Sequence, residues 1–209
     1  MVPTPFLTER LLATADRQPE APFLHRPGTS AVRYESLGGQ IRYVRERLRS
    51  WSIVPGDIVA GFAPSRALMA MACASLPASS TFAPLGSTLA TNAYVALLRR
   101  MRPRAVLAPP ASDHPLRIAA ATLGVPAMLA VPGDDGRFAL EIEAGIGNAV
   151  EPLARPGHAY VLVTSGTTGR PKLAPLGHRQ MLDFADAMIG LLRLGPEDVG
   201  YALAPFHFA

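Results

Sequence analysis

The run Thr164-Ser165-Gly166-Thr167-Thr168-Gly169-Arg170-Pro171-Lys172 concentrates four hydroxyls, two glycines and the one lysine among the chain's 20 lysines and arginines. That mixture suits a polyphosphate. Gly166 and Gly169 let the main chain turn with no Cβ in the way. Successive amides can then face one concavity and bind an anion. The hydroxyls of Thr164, Ser165, Thr167 and Thr168 add donors, and Pro171 stiffens the exit. Lys172 supplies a compact ammonium on a flexible stem. A composition biased towards arginine does not account for a lone lysine at this place, so a specific need for an ammonium is indicated. The spacing is not that of a standard P-loop, which wants a glycine five positions after the first and then Lys-Ser/Thr. Here those positions hold Pro171 and Lys172-Leu173. Nor is there a dinucleotide fingerprint: Gly145-Ile146-Gly147 has Val150 at the third glycine's place and no strand before it.

The elements around the loop read as an alternation of short apolar runs and longer amphipathic ones. Helices are expected over 5–16, 36–49, 66–76, 91–101, 114–123 and 180–192. Strands are expected over 31–34, 58–63, 81–85, 104–108, 127–131, 160–163 and 199–203. Such alternation predicts an α/β fold, a mostly parallel sheet with flanking helices. Val54-Pro55-Gly56-Asp57 reads as a turn. Gly133-Asp134-Asp135-Gly136 turns into an edge hairpin over 137–143, so the paired aspartates are turn residues and not a catalytic couple. A polar link over 145–157 precedes the strand that enters the loop. Ligands of α/β folds bind beyond the carboxyl ends of strands, where this loop falls.

Composition narrows the function classes. A chain of 209 residues, 49% hydrophobic and 17% charged, can bury a sizeable core and is not a disordered chain. The net charge of +4 is spread out. Arg42, Arg45, Arg47 and Arg49 oppose an apolar face of Leu37, Ile41, Val44 and Leu48, which reads as a solvated helix face and not as a nucleic-acid stripe. Between Asp57 and Arg99 the only charge is Arg66, but Pro77, Pro84 and Gly86 interrupt the run, so no membrane span is expected. A single cysteine, Cys73, excludes an internal disulfide and reads as a packed residue. The N-terminus lacks a signal-peptide pattern, so a cytoplasmic protein is expected. His25, His114 and His158 show no metal-ligand spacing, and no metal site is expected from this chain's residues.

The stretch from Tyr160 to Lys172 resembles the signature of the adenylate-forming (AMP-binding) superfamily, which includes acyl- and aryl-CoA synthetases, luciferases and the adenylation domains of nonribosomal peptide synthetases. Flanking segments extend the resemblance over most of the chain. They are Tyr34-Glu35-Ser36-Leu37, Val54-Pro55-Gly56-Asp57, Phe82-Ala83-Pro84-Leu85, His178-Arg179 and Pro205-Phe206-His207. Three departures stand out: Leu173 replaces the common glycine after the lysine, Gly86 an acidic or amide residue, and Gly177 a Thr or Ser before His178. Gly177 remains an acceptable helix N-cap.

The resemblance implies that Thr164, Ser165, Gly166, Thr167, Thr168, Gly169 and Lys172 hold the ATP phosphates. It implies that His207 lines an acyl pocket, while His178 belongs to the start of a helix. ATP and Mg²⁺ are the implied cofactors. A carboxylic acid, and then CoA or a carrier protein, are the implied partners. Family enzymes are far longer, and their adenine, ribose, Mg²⁺ and mobile-lid groups match nothing up to Ala209. Residues 1–209 are therefore expected to be a partial N-terminal adenylation domain, without its C-terminal part or lid, inactive alone and prone to self-association. Two other readings stay open. One is a non-catalytic remnant that binds nucleotide weakly or serves as an interaction domain. The other is an amino-acid-activating domain, although those usually carry Phe-Asp where this chain has Phe206-His207.

Overall fold

The computed structural model describes residues 6–25, 28, 30–143, 153–164, 171–204 and 206. Helix α1 (Phe6–Arg17) is followed by a small antiparallel pair, β1 (Pro22–Leu24) and β2 (Val32–Arg33), and by α2 (Tyr34–Ser50). Alternation then sets in with β3 (Ile58–Gly61), α3 (Arg66–Ser75), β4 (Thr81–Pro84), α4 (Thr91–Met101), β5 (Ala105–Ala108), α5 (Pro115–Thr122) and β6 (Ala127–Pro132). A hairpin strand, β7 (Phe138–Ile142), precedes β8 (His158–Thr164), β9 (Lys172–Gly177) and α6 (His178–Leu192).

The main sheet has the order β7-β6-β5-β3-β4-β8-β9. Its inner pairings are parallel, and β7 and β9 run antiparallel at the two edges. The expected α/β fold with a mostly parallel sheet is therefore the fold observed. β3, β4 and β5 are buried at every position, as strands covered on both faces must be. Leu37, Ile41, Val44 and Leu48 of α2 are all fully buried against this sheet's core. The opposite face of α2 is less free than a purely solvated one. Arg42 pairs with Asp16 at 2.6 Å, and Arg47 lies over the Trp51 ring and donates to the Leu140 carbonyl.

At the β7 edge, side chains of α2 take the place of a neighbouring strand. Gln40 Nε2 donates to the Phe138 carbonyl and Gln40 Oε1 accepts from the Phe138 N–H, both at 3.1 Å. Tyr43 Oη accepts from the Leu140 N–H at 2.8 Å, and Arg47 Nε donates to the Leu140 carbonyl at 3.3 Å. Four outward-facing backbone groups are thereby satisfied, and the edge is closed to further strand pairing.

Three elements differ from expectation, one being β1, a strand over Pro22–Leu24 where none was expected. Residues 199–203 form no strand: Val199, Tyr201 and Leu203 are exposed, and no described strand lies alongside for them to pair with. β9 was not foreseen, because Pro175 within Lys172–Gly177 argues against a strand. β9 tolerates it as an edge strand, where a missing donor costs no ladder bond. No helix among the described residues is long and apolar enough to cross a membrane.

Candidate functional site

β8 and β9 are antiparallel partners, and their register sets Thr164 opposite Lys172. Residues 165–170, which include Ser165, Gly166, Thr167, Thr168 and Gly169, lie outside the described residues. Their two anchors do not. Thr164 ends β8, a strand parallel to β4, so the hairpin's open end lies at the carboxyl side of the parallel strands. Lys172 is exposed and has no ion pair with any described residue, which leaves its ammonium available to an anion. Arg100, in the last turn of α4, donates to the Pro171 carbonyl at 2.6 Å and ties down the loop's exit. A hydroxyl and an ammonium on adjacent strand ends fit the tail of a triphosphate, the group the sequence pattern asks for. Among the described residues no three His, Cys, Asp or Glu side chains gather where a metal ion could sit.

A cavity of about 500 Å³ opens at the carboxyl ends of β3 and β4. Phe62, Met69 and Leu85 give it apolar walls, Ser65 and Arg66 a polar rim, and Phe206 flanks it. Gly61, the last residue of β3, has a φ of +138°, and a Cβ there would stand 2.0 Å from the Leu107 carbonyl oxygen, so the close approach of β3 to β5 requires glycine. The segment after β4 is fixed from two sides. Tyr94 donates to the Gly86 carbonyl at 2.5 Å, and burial pushes its phenol up to about 12. His114 contacts the Ser87 carbonyl through Nε2 at 3.2 Å and accepts from the Leu116 N–H through Nδ1 at 3.1 Å. With Nδ1 accepting, Nε2 carries the proton and donates. No role for His114 is legible in the sequence beyond the absence of metal-ligand spacing, yet it caps α5 and contacts Ser87 at the cavity's rim. His-Pro at a helix start was the available signal. Gly86, where an acidic or amide residue was expected, takes part through its carbonyl.

His207 and Pro205 lie outside the described residues, and the neighbouring Phe206 is the part of that segment seen beside the cavity. His178 is the first residue of α6 and 4% exposed. Gly177 is the N-cap, its N–H donating to Gln180 Oε1 at 2.8 Å. Burial, and then the nearby His158, lower the His178 imidazole to about 4. Cys73 is half-buried, and burial pushes its thiol up to about 12, which suits a packed residue and not a nucleophile. A second cavity, of about 570 Å³, lies beside α5 and the start of β6. Three strands separate it from β8, so it is not part of this site.

Comparison with known proteins gives a consistent assignment. A medium/long-chain-fatty-acid–[acyl-carrier-protein] ligase, FadD10 of Mycobacterium tuberculosis, is 29% identical over 192 residues, covering 86% of this chain and 34% of its own length. A salicyl-AMP ligase/salicyl-S-ArCP synthetase of the same organism is 30% identical over 83% of this chain and 33% of its own. The chain thus spans about a third of these relatives. Among solved structures, ATP-bound MatB from Rhodopseudomonas palustris superposes with a TM-score of 0.71 at 23% identity, over 94% of this chain and 39% of that one, a likeness of fold. Residues 11–209 match the family described as AMP-binding enzyme, and the chain belongs to that family.

Proposed function

We propose that this chain supplies the phosphate-gripping part of an ATP-dependent carboxylic acid ligase. The carboxylate attacks the α-phosphorus of ATP, forming an acyl-adenylate and releasing pyrophosphate. The thiol of CoA or of a carrier protein then takes the acyl group and AMP leaves. The observation that carries this reading is the β8–β9 register. It sets Thr164 and Lys172 side by side at the carboxyl end of the parallel strands, with the hydroxyl- and glycine-rich run between them. Such a transfer depends on positioning and on stabilising charge at the departing phosphates, which a hydroxyl and an ammonium can supply. Mg²⁺ would accompany the triphosphate and offset its charge. A carrier protein as acceptor is supported by the names of the two mycobacterial relatives. The cavity beside Phe206 is the candidate site for the acid's apolar part, with His207 as a candidate lining residue.

Acid-dependent ATP–pyrophosphate exchange in the complete protein tests the proposal. Lys172→Ala should lower exchange by about 100-fold or more, the scale of losing one group that stabilises transition-state charge. Its melting temperature should hold, because an exposed lysine contributes little to stability. Unchanged exchange in that variant would refute the phosphate role. No exchange with any fatty or aryl acid would refute the ligase reading.

A further inference from the structure

Arg66 is the only charged residue between Asp57 and Arg99, and it stands at the first position of α3. That is an unfavourable place for a cation, because the helix N-terminus is itself positive. The cap does not require it: Ser65 already accepts from the Leu68 N–H at 3.2 Å. Nor does it serve an acidic partner, since no ion pair among the described residues includes Arg66. Its guanidinium instead donates to two consecutive carbonyls, Ala202 at 3.3 Å and Leu203 at 3.2 Å. Those residues belong to a segment that its own side chains do not hold, for Tyr201 and Leu203 are 87% and 82% exposed. Three residues beyond Leu203, Phe206 packs against the core and flanks the cavity whose rim includes Arg66.

We propose that Arg66 is a positioning residue: its planar fork fixes the 202–203 backbone so that Phe206 closes the mouth of the cavity, and so sets the size of apolar acid that the cavity admits. This rests on the reading of the cavity as the acid's site. A fork with several parallel donors can grip two carbonyls at once, whereas an ammonium cannot reproduce the geometry. The bonds are on the surface and contribute little to global stability. Their effect is local order.

The test uses Arg66→Ala and Arg66→Lys in the 209-residue chain. Hydrogen exchange is read over 199–206, and titrations use octanoate, dodecanoate, benzoate and inorganic pyrophosphate. In Arg66→Ala, amides of 199–206 should exchange about 10-fold faster while β3 and β4 stay protected. The ratio of octanoate to benzoate affinity should shift by about 5-fold or more, within the range a pocket contact can discriminate. Pyrophosphate affinity and melting temperature should not move, and Arg66→Lys should recover only part of the loss. If the acids bind but their ratio is the same in Arg66→Ala, the Arg66 inference is overturned alone. If pyrophosphate binds wild-type protein and none of the acids does, the acid reading of the cavity falls and this inference with it.

Discussion

An imidazole that is 4% exposed, with no partner for Nδ1 among the described residues, is comfortable only when uncharged. His178 meets both conditions, and its neighbour His158 adds to the penalty for a proton. The sign follows directly. With the folded value lowered to about 4 and the ordinary value at 6.5, the unfolded chain binds more protons between those limits. Stability from this residue is complete above pH 6.5 and declines as pH falls towards 4, by about 1.4 kcal/mol per pH unit. Denaturant unfolding of wild type and His178→Asn at pH 7.5, 6, 5 and 4.5 should therefore converge as pH falls. A constant gap across that range would show that His178 does not titrate in this window. The sequence identified His178 as a helix-start residue but not as buried. Burial here is set by β8, β9 and α6 meeting, a tertiary fact with no local signature. Thr164 and Lys172 are proposed on the opposite ground: a hydroxyl run and a lone lysine after an apolar strand carry their chemistry in residue type alone, and the β8–β9 register sets the two residues opposite each other.

The alternation of strands and helices from β3 to β6 could be read from periodicity because each crossover buries one helical face and a whole strand. Elements at the margins obeyed other rules. Pro175 disguised β9, and the apolar 199–203 run suggested a strand for which no described partner exists. The β7 edge shows how a helix can stand in for a strand, with Gln40, Tyr43 and Arg47 at i, i+3 and i+7 along one side of α2. Gln40 is fully buried and makes both of its bonds to Phe138. Replacing it by leucine would strand one N–H and one carbonyl, each costing about 1–3 kcal/mol when buried. Gln40→Leu should lower the urea midpoint accordingly and unprotect the Phe138 amide, while the amides of β3 and β5 follow only the global loss. If the Phe138 amide stays as protected as in wild type, the side-chain cap is not what holds that edge.

For the whole molecule, apolar surface is unevenly covered. Along α6, Phe184, Leu191 and Leu192 are 63%, 76% and 56% exposed and fall at i, i+7 and i+8, a single stripe. The other side of the helix packs on α1 and is tied there by the Arg10–Asp186 ion pair at 2.6 Å. Val199, Tyr201 and Leu203 are exposed as well. An apolar helix stripe left facing water favours association. The purified 209-residue chain should self-associate, and Phe184→Glu with Leu191→Lys should reduce the average mass seen by light scattering. The same chain should not form acyl-adenylate at a useful rate by itself. It spans about a third of the length of the relatives it matches, and only the phosphate grip of an ATP site is proposed for its residues. Thr164 and Lys172 would hold one end of a triphosphate whose α-phosphorus is then free to rotate away from an incoming carboxylate. Orientation of that kind is worth about 7–11 kcal/mol of barrier reduction, far more than a phosphate grip alone replaces. Pyrophosphate should therefore bind measurably to the isolated chain while acid-dependent exchange stays at background. Robust exchange from a monodisperse monomer would mean that this third of the relatives' length contains a complete adenylating site.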